Sequence, residues 1–216
     1  MLIYAAADIH GHPRRIRSIQ KQIAVHRPDI LVLAGDISRR RQPEAMLDGL
    51  NRLDLPVLVI RGNSDCRHLV GLLSSFHRLR SIDLSVARFG DVEIIGIGGT
   101  LPLPFHSRLG LKESEAVSRV SDMLQAHSVL VVHPPPHGVR DRVLGRFHAG
   151  SRAVRQLIDN HSPALVICGH IHEQAGVETI GRTIVVNCAM GRSSDGALIH
   201  YDGRSLPVCR MLPPVQ

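Results

Sequence analysis

Acidic and imidazole side chains follow the apolar runs of this chain at several separate places. His170 and His172 come directly after the apolar run 164–168 and are one residue apart. A run of this kind, bounded by Gly169, predicts a buried strand with both imidazoles at its carboxyl end. Side chains with this spacing diverge from the end of a strand. The pair therefore suits two neighbouring metal ions better than one.

The same arrangement recurs after four other apolar runs. Each of these runs is followed by residues with oxygen or imidazole ligands, namely Asp8 with His10, Asp36, Asn63, and His133. A single residue of this kind more often caps a turn or lies in a loop. Five strand ends with such residues are not explained by packing, so the sequence predicts a metal centre. A ligand set without thiolate suits Mn²⁺, Fe, Zn²⁺ or Ni²⁺ and does not choose among them.

The ligand-bearing segments resemble those of the calcineurin-like metallophosphoesterases, and the resemblance spans most of the chain. The blocks that match, in the order that the family has, are Asp8-Ile9-His10-Gly11, Gly35-Asp36, Gly62-Asn63-Ser64-Asp65, His133 and Gly169-His170-Ile171-His172. The segment 133–172 resembles a subgroup of small single-domain phosphodiesterases. The resemblance implies an α/β fold, a four-layer αββα sandwich of two mixed β-sheets flanked by helices, in a single domain over residues 1–216.

The resemblance also implies two divalent metal ions and a division of the ligands between them. One ion would be held by Asp8, His10, Asp36 and His172, and the other by Asp36, Asn63, His133 and His170. Asp36 would bridge the ions, since a carboxylate supplies two oxygens to ions about 3.5–4 Å apart. We favour Mn²⁺, with Fe, Zn²⁺ or Ni²⁺ as alternatives. Two such ions would make hydroxide available near neutral pH for in-line attack on phosphorus.

One residue departs from the pattern of many relatives. Those relatives have His where Ser64 stands, and that His is thought to stabilise the transition state or protonate the leaving group. A serine hydroxyl donates a hydrogen bond but is a poor acid at neutral pH. We therefore assign Ser64 to substrate binding and expect diesters to be better substrates than monoesters with poor leaving groups.

Three further positions are candidates for a role in the reaction. His148 would assist the leaving group, and the alternative is a surface loop histidine. Asp65 would orient a ligand histidine, and the alternative is a turn-capping carboxylate. Arg14 follows the first ligand block and would bind phosphate through charge-assisted hydrogen bonds. The arginine run 39–41 follows Asp36, and for it we favour a solvated loop.

Composition and charge narrow the class of partner. The 216 residues carry a net charge of +7, and only 3% are aromatic. The arginines lack interleaved aromatic residues that would stack on bases, so nucleic acid is a possible partner that we do not favour. No apolar run approaches the roughly 20 residues that span a bilayer. A strand predicted from Leu2 leaves no room for a signal sequence, so we expect a cytoplasmic protein without membrane contact, as a monomer or homodimer.

Apolar runs alternate with amphipathic segments, which indicates strand–helix–strand units. Helices are predicted over residues 13–25, 44–53, 113–126 and 151–160, with Ser151 as the cap of the last. Short strands are predicted over residues 91–98, 174–180, 183–188, 197–201 and 207–211. The stretches 100–110 and 134–150 are predicted to be long loops that wall the substrate cleft.

These features lead to one favoured hypothesis and two alternatives. We expect a dinuclear metal-dependent phosphodiesterase that hydrolyses a small nucleotide-type or organic phosphodiester. A metal-dependent nuclease would use the same chemistry, and the positive net charge supports it. A non-catalytic scaffold similar to the small retromer subunit would lack ligands, whereas all seven are present here. The sequence does not choose among individual phosphate esters.

Overall fold

Two six-stranded β-sheets pack face to face among residues 1–38, 43–99 and 113–215, which the computed structural model describes. The helices in these ranges are α1 (Pro13–His26), α2 (Glu44–Asn51), α3 (Leu69–Leu73), α4 (Glu113–Met123) and α5 (Arg152–His161). The strands are β1 (Leu2–Ala6), β2 (Ile30–Ala34), β3 (Val57–Ile60), β4 (Leu79–Ser81), β5 (Val86–Phe89), β6 (Val92–Ile97), β7 (Val129–Val132), β8 (Arg142–Val143), β9 (Phe147–His148), β10 (Leu165–Cys168), β11 (Gly176–Ile180), β12 (Thr183–Asn187), β13 (Ala197–His200) and β14 (Val208–Met211).

Both sheets are mixed. The first has the order β14-β13-β1-β2-β3-β4, with parallel pairing from β1 to β4 and antiparallel pairing of β13 with both its neighbours. The second has the order β11-β12-β10-β7-β6-β5, with β6, β7, β10 and β12 parallel and the two edge strands antiparallel. The predicted sandwich of two mixed sheets is thus confirmed.

Alternate residues along each central strand explain the four layers. In β2, Ile30, Val32 and Ala34 pack into the core between the sheets. Leu31 and Leu33 face the other way, into a second core that α1, α2 and α3 cover. A strand buried on both faces reads as a continuous apolar run, as β2 does. The outer face of the second sheet is covered in the same way by α4 and α5.

Local signals in the sequence place the helix ends. The side chain of Ser151 accepts a hydrogen bond from the N–H of Val154, which confirms the predicted cap of α5. Pro13 is the first residue of α1, where its missing N–H costs no helical hydrogen bond. Ile19 of α1 is fully buried against the first sheet, in keeping with the predicted apolar face.

Several elements differ from the prediction. The helix α3 and the strands β4 and β5 are short and were not predicted, because each offers few residues from which to read a period. The stretch 134–150, predicted to be irregular, contains the antiparallel pair β8 and β9. The predicted loop 100–110 lies outside the described residues. Within the described ranges, no helix has the length and apolar character needed to cross a membrane.

Candidate metal centre

The predicted ligands lie where the carboxyl ends of parallel strands from both sheets meet. Asp8, Asp36 and Asn63 follow β1, β2 and β3, which are neighbours in the first sheet. His133 and His170 follow β7 and β10, which are neighbours in the second. The backbone N–H of His170 donates to Oδ2 of Asp8 over 2.8 Å, so a hydrogen bond joins the two sheets at this edge.

Asp8 is fully buried, and one of its carboxylate oxygens has no hydrogen-bond donor. Within the described part of the chain, Oδ1 has no hydrogen-bond partner, although Nε2 of His172 is only 3.1 Å away. Nε2 of His10 lies at 3.9 Å and Nε2 of His133 at 4.0 Å. A buried anionic oxygen without a donor is costly. A cation among these three nitrogens would satisfy it, so the residues fit a metal ion.

Asp36 occupies the middle of the cluster. Its Oδ2 lies 3.7 Å from Nε2 of His10 and 3.5 Å from Nε2 of His133, so it stands between two imidazoles that approach from different elements. Burial alone would raise the pKa of Asp36, but His133 and the two hydrogen bonds from Ser64 hold that pKa well below its ordinary value. The carboxylate is therefore anionic and lies between two candidate ligand imidazoles.

The ring of His133 is oriented by the backbone. Its Nδ1 is 2.8 Å from the carbonyl oxygen of Ala34, and because a carbonyl only accepts, Nδ1 carries the hydrogen. Nε2 lies 3.1 Å from Oδ1 of Asn63, and because an amide oxygen only accepts, Nε2 donates in this contact. Although burial opposes the charge, Asp36 and Asp8 raise the pKa of His133 to about 9. A proton or a cation thus belongs between these atoms.

The ring of His170 packs edge-on against that of His133, with the centroids 5.0 Å apart. Burial, together with the neighbouring His133, lowers the pKa of His170 to about 4. The ring is therefore neutral at physiological pH and keeps a lone pair, as a metal ligand requires. The pKa of His172 is shifted upward instead, because its ring lies beside the carboxylate of Asp8.

Two glycines allow the strand ends to approach one another. A Cβ at Gly62 would overlap Oδ1 and the backbone nitrogen of Asp36. Gly35 has a φ of +91°, and a Cβ there would lie 2.6 Å from Nδ1 of His133. Neither position therefore accepts a side chain without displacing a predicted ligand.

Four of the predicted ligand residues have left-handed backbone conformations. The φ values are 61° for Asp8, 51° for His10, 53° for Asp36 and 71° for His170. Asp and His adopt this region more readily than other residues with a Cβ, but it still costs about 1–2 kcal/mol each. Such strain persists where the surrounding structure over-determines it and is common at functional sites.

The structure brings the seven predicted ligands to one place. Ligand atoms of Asp8, His10 and His172 lie within 4.8 Å of one another, as do those of Asp8, Asp36 and His133. Asn63 and His170 join the second group through their contacts with His133. The first group contains three of the four residues expected at the first ion, but Asp36 is not among them, and Asp8 rather than the predicted Asp36 belongs to both groups. Mixed oxygen and nitrogen ligands without thiolate suit a divalent first-row metal ion.

The contacts of Asp65 are those of the turn-capping alternative. Oδ1 accepts hydrogen bonds from the backbone N–H groups of Ile37 and Ser38, at 3.0 and 2.9 Å, and from the Ser38 hydroxyl. Oδ2 accepts from the N–H of Gly62 at 2.9 Å. Burial raises the pKa of Asp65. The carboxylate therefore joins the segment after Asp36 to the segment before Asn63, and it forms no hydrogen bond with a described ligand histidine.

His148 pairs with a buried carboxylate that sequence reasoning missed. Nδ1 of His148 donates to Oδ1 of Asp141 over 2.6 Å, and the other oxygen of Asp141 accepts from the N–H groups of Gly138 and Gly150. Asp141 is 1% exposed. The ring of His137 lies 5.4 Å from that of His148. The sequence offered one signal for this pair: Asp141 lies in the same predicted loop as His148, three residues after Gly138.

The contacts of the predicted phosphate ligand Arg14 do not include the predicted metal ligands. Its side chain is exposed and forms no hydrogen bond or ion pair with any described ligand residue. The neighbouring Arg15, which was not predicted to act, donates from its guanidinium to the backbone carbonyl of Asp8. A phosphate role for Arg14 near the metal centre thus has no support from its contacts. The arginine run 39–41 lies outside the described residues.

Comparisons with known proteins agree with the geometry. A sequence model of the Calcineurin-like phosphoesterase family matches residues 1–174, which include all seven predicted ligands. An uncharacterized protein of Methanocaldococcus jannaschii, MJ1162, is 30% identical over 197 residues, covering 87% of this chain and 87% of that protein.

Solved structures show the same fold at low sequence identity. A dimetal phosphatase from Danio rerio superposes with a TM-score of 0.68 at 13% identity, covering 100% of this chain and 97% of that one. An archaeal phosphodiesterase superposes with a TM-score of 0.59 at 14% identity, covering 98% and 100%. The fold, the gathered ligands and the match over residues 1–174 lead to one conclusion: the chain belongs to the calcineurin-like phosphoesterase family.

Proposed function

We propose that the protein is a dinuclear metal-dependent phosphodiesterase acting on small nucleotide-type or organic diesters. The observation that carries the proposal is the position of Asp36, whose Oδ2 lies 3.7 Å from Nε2 of His10 and 3.5 Å from Nε2 of His133. The unpartnered oxygen of Asp8 lies beside the same two rings. Carboxylate and imidazole groups so arranged suit two divalent ions, for which we favour Mn²⁺.

The ligands divide into two groups in the proposal. Asp8, His10, Asp36 and His172 would hold one ion, and Asp36, Asn63, His133 and His170 would hold the other. When bound, the pair of ions would make a hydroxide nucleophile available near neutral pH and neutralise charge on the phosphate oxygens. The protein orients the ligands through backbone contacts, such as that of His133 with Ala34.

The proton for the leaving group is assigned to His148. Asp141 accepts a hydrogen bond from Nδ1 of His148, so the remaining nitrogen, Nε2, is the one that can serve a substrate. The side chain of His148 is 37% exposed, so this nitrogen can be reached from solvent. Asp141 is a positioning residue in this account, because its two oxygens are engaged by His148 and by backbone N–H groups.

The preference for diesters is supported by Ser64. Its hydroxyl donates to Asp36, so it is not available as an acid for a poor leaving group. The archaeal protein of the same fold is a phosphodiesterase, although the one from Danio rerio is a dimetal phosphatase. We therefore place this chain with the diester-cleaving enzymes. A non-catalytic scaffold similar to the small retromer subunit is disfavoured by the presence of all seven ligands.

The proposal is tested by metal reconstitution. Protein freed of metal with a chelator and then given Mn²⁺ should hydrolyse bis(4-nitrophenyl) phosphate with a kcat/KM at least about tenfold above that for 4-nitrophenyl phosphate. Crystals grown with Mn²⁺ should show two anomalous peaks, one on each side of Asp36. A single peak, or no Mn²⁺-stimulated hydrolysis of any generic diester, would overturn the dinuclear mechanism.

A further inference from the structure

A large cavity opens along the first half of α1. Its volume is about 890 Å³, and its second wall is formed by residues 191–195 and 214–215. The cationic side chains that line it are those of Arg14, Arg15, Arg17, Lys21 and Arg192, with His12 at the edge. None of them belongs to the seven predicted ligands, so the cavity is distinct from the metal centre.

Three of the arginines that line the cavity have no ion-pair partner among the described residues. Asp195 is the acidic residue among the lining, and its Oδ2 already accepts from the hydroxyl of Ser18 and from the N–H of Val215. In the described ranges, Arg14, Arg17 and Arg192 form no ion pair with any carboxylate. Three guanidinium groups therefore face one space without an anionic partner.

The cationic side chains along this cavity destabilise α1. Arg14, Arg17 and Lys21 are spaced by three and four residues, so they share one face of the helix, and like charges at this spacing repel. The first turn of α1 contains no acidic residue, although acidic side chains are favoured there. Local rules that a sequence breaks without a structural gain are expected at functional sites. An anionic ligand bound in the cavity would offset this repulsion.

The cavity adjoins the metal centre. Arg15 lines the cavity, and its guanidinium also donates to the backbone carbonyl of Asp8, a predicted metal ligand. His12, at the cavity edge, follows the predicted ligand His10 by two residues. Two residues of the cavity wall are thus joined to the segment that carries Asp8 and His10.

We propose that this cavity binds a second phosphate group of the substrate, so the preferred substrates are small diesters that carry a further phosphate. The proposal rests on the proposed phosphodiesterase function. Guanidinium groups match phosphate because they donate pairs of parallel hydrogen bonds to its oxygens. The cavity is partly open to solvent, and the absence among its lining of aromatic residues that would stack on bases favours a small ligand over a polynucleotide.

Paired substrates test the proposal in the Mn²⁺-loaded enzyme. Thymidine 5′-(4-nitrophenyl phosphate) is compared with the same ester bearing a 3′-phosphate. We expect the added phosphate to raise kcat/KM by about tenfold or more, mainly through KM. The double variant Arg17→Ala, Arg192→Ala should lose most of this advantage. Arg182→Ala, an exposed arginine on the turn between β11 and β12, is the control and should keep it.

A binding experiment separates this proposal from the proposed function. Chelator-treated protein is titrated calorimetrically with inorganic tripolyphosphate, which needs no hydrolysis. Saturable binding that Arg17→Ala, Arg192→Ala weakens about tenfold, and that Arg182→Ala leaves unchanged, supports an anion site in the cavity even if the enzyme cleaves neither ester.

Two outcomes overturn the proposal. If the diester is hydrolysed but the 3′-phosphate gives no advantage and tripolyphosphate does not bind, the cavity is not a phosphate site. If a twelve-nucleotide single-stranded DNA binds far more tightly than tripolyphosphate, and Arg17 and Arg192 carry that binding, then the cavity serves a nucleic acid instead. That second result would favour the nuclease alternative, and its affinity should fall steeply as salt rises.

Discussion

Ser64 donates hydrogen bonds to both carboxylate oxygens of Asp36. Its backbone N–H lies 2.7 Å from Oδ1, and its hydroxyl lies 2.8 Å from Oδ2. The assignment of Ser64 to substrate binding stays a prediction, and these contacts add a second expected role, because they orient the carboxylate that is expected to join the two ions.

Replacing Ser64 by Ala should weaken metal binding. The substitution removes the hydroxyl bond to Asp36 and keeps the backbone bond, and loss of a hydrogen bond that orients a ligand lowers metal affinity by about tenfold to a hundredfold. Titration of the metal-free protein with Mn²⁺ measures the effect. Ser74→Ala, which removes an exposed hydroxyl bonded to the Gly71 carbonyl, is the control. If Ser64→Ala binds Mn²⁺ as the wild type does but has a raised KM, Ser64 binds substrate instead.

Gly62→Ala should displace Asp36 and reduce both stability and metal content. The new Cβ would overlap Oδ1 and the backbone nitrogen of Asp36, neither of which can move without breaking the contacts of the ligand loop. We expect a loss of about 1–3 kcal/mol in the free energy of unfolding. Gly49→Ala is the matched control, because no atom lies within 4 Å of its added Cβ in α2. That variant should gain about 0.5–1 kcal/mol, measured by urea unfolding.

Asp65→Ala should destabilise the metal-free protein. The substitution leaves the buried N–H groups of Ile37, Ser38 and Gly62 without an acceptor, at a cost of about 1–3 kcal/mol for each donor left unsatisfied. Urea unfolding in the presence of a chelator measures the loss. Asp54→Ala, at a side chain that is 96% exposed, should change little. A variant with near-normal stability but weak Mn²⁺ binding would instead support an orienting role toward a ligand histidine.

His148→Ala should slow the hydrolysis of diesters that have a poor leaving group more than that of diesters that have a good one. Protonation of the leaving group matters little for 4-nitrophenolate and much for an alkoxide, so kcat should fall by about 10²–10³-fold only for an alkyl leaving group. Asp141→Asn should show the same dependence in a weaker form, since Asp141 orients the ring. His200→Ala, an exposed histidine on β13, is the control. If the His148→Ala variant has the kcat and KM of the wild type on both esters, His148 has no part in the reaction.

Mn²⁺ should raise the melting temperature of the protein, and Asp36→Asn should abolish that rise, because Asp36 is the ligand assigned to both ions. The predicted ligands come from both sheets, so the site exists only in the folded protein. Mn²⁺ at a concentration a hundredfold above its Kd should then stabilise the folded state by about 2.7 kcal/mol. Differential scanning calorimetry with and without chelator measures the shift. Asp122→Asn, an exposed carboxylate on α4, should respond to Mn²⁺ as the wild type does. A shift that survives in Asp36→Asn would place the ions elsewhere.

Much of the fold and the ligand positions could be predicted because they follow from periodicity. The continuous apolar run Ile30–Ala34 indicates a strand buried on both faces, and the side chain after its end, Asp36, must lie at the sheet edge. The carboxyl ends of the central strands of both sheets lie at one edge of the sandwich, so distant residues such as Asp8 and His170 meet. Short elements such as α3 offered less than two turns of pattern and were missed.

The partners of the ligands could not be predicted, because they depend on contacts between distant segments. No spacing in the sequence shows that Ser64 will donate to Asp36, or that Asp141 will meet His148 across the pair β8 and β9. The same holds for Asp65, whose backbone partners lie up to 28 residues away. Side-chain types at strand ends predict a site, whereas the geometry of the loops decides what each side chain does.

The left-handed backbone at Asp8, His10, Asp36 and His170 has a consequence for protein engineering. A designer who copied only the seven side chains onto regular strands and helices would aim them along different vectors, and the grafted cluster would fail to assemble. Transplantation must carry over the turns and their glycines, and the recipient scaffold must have enough surplus stability to tolerate several unfavourable torsion angles.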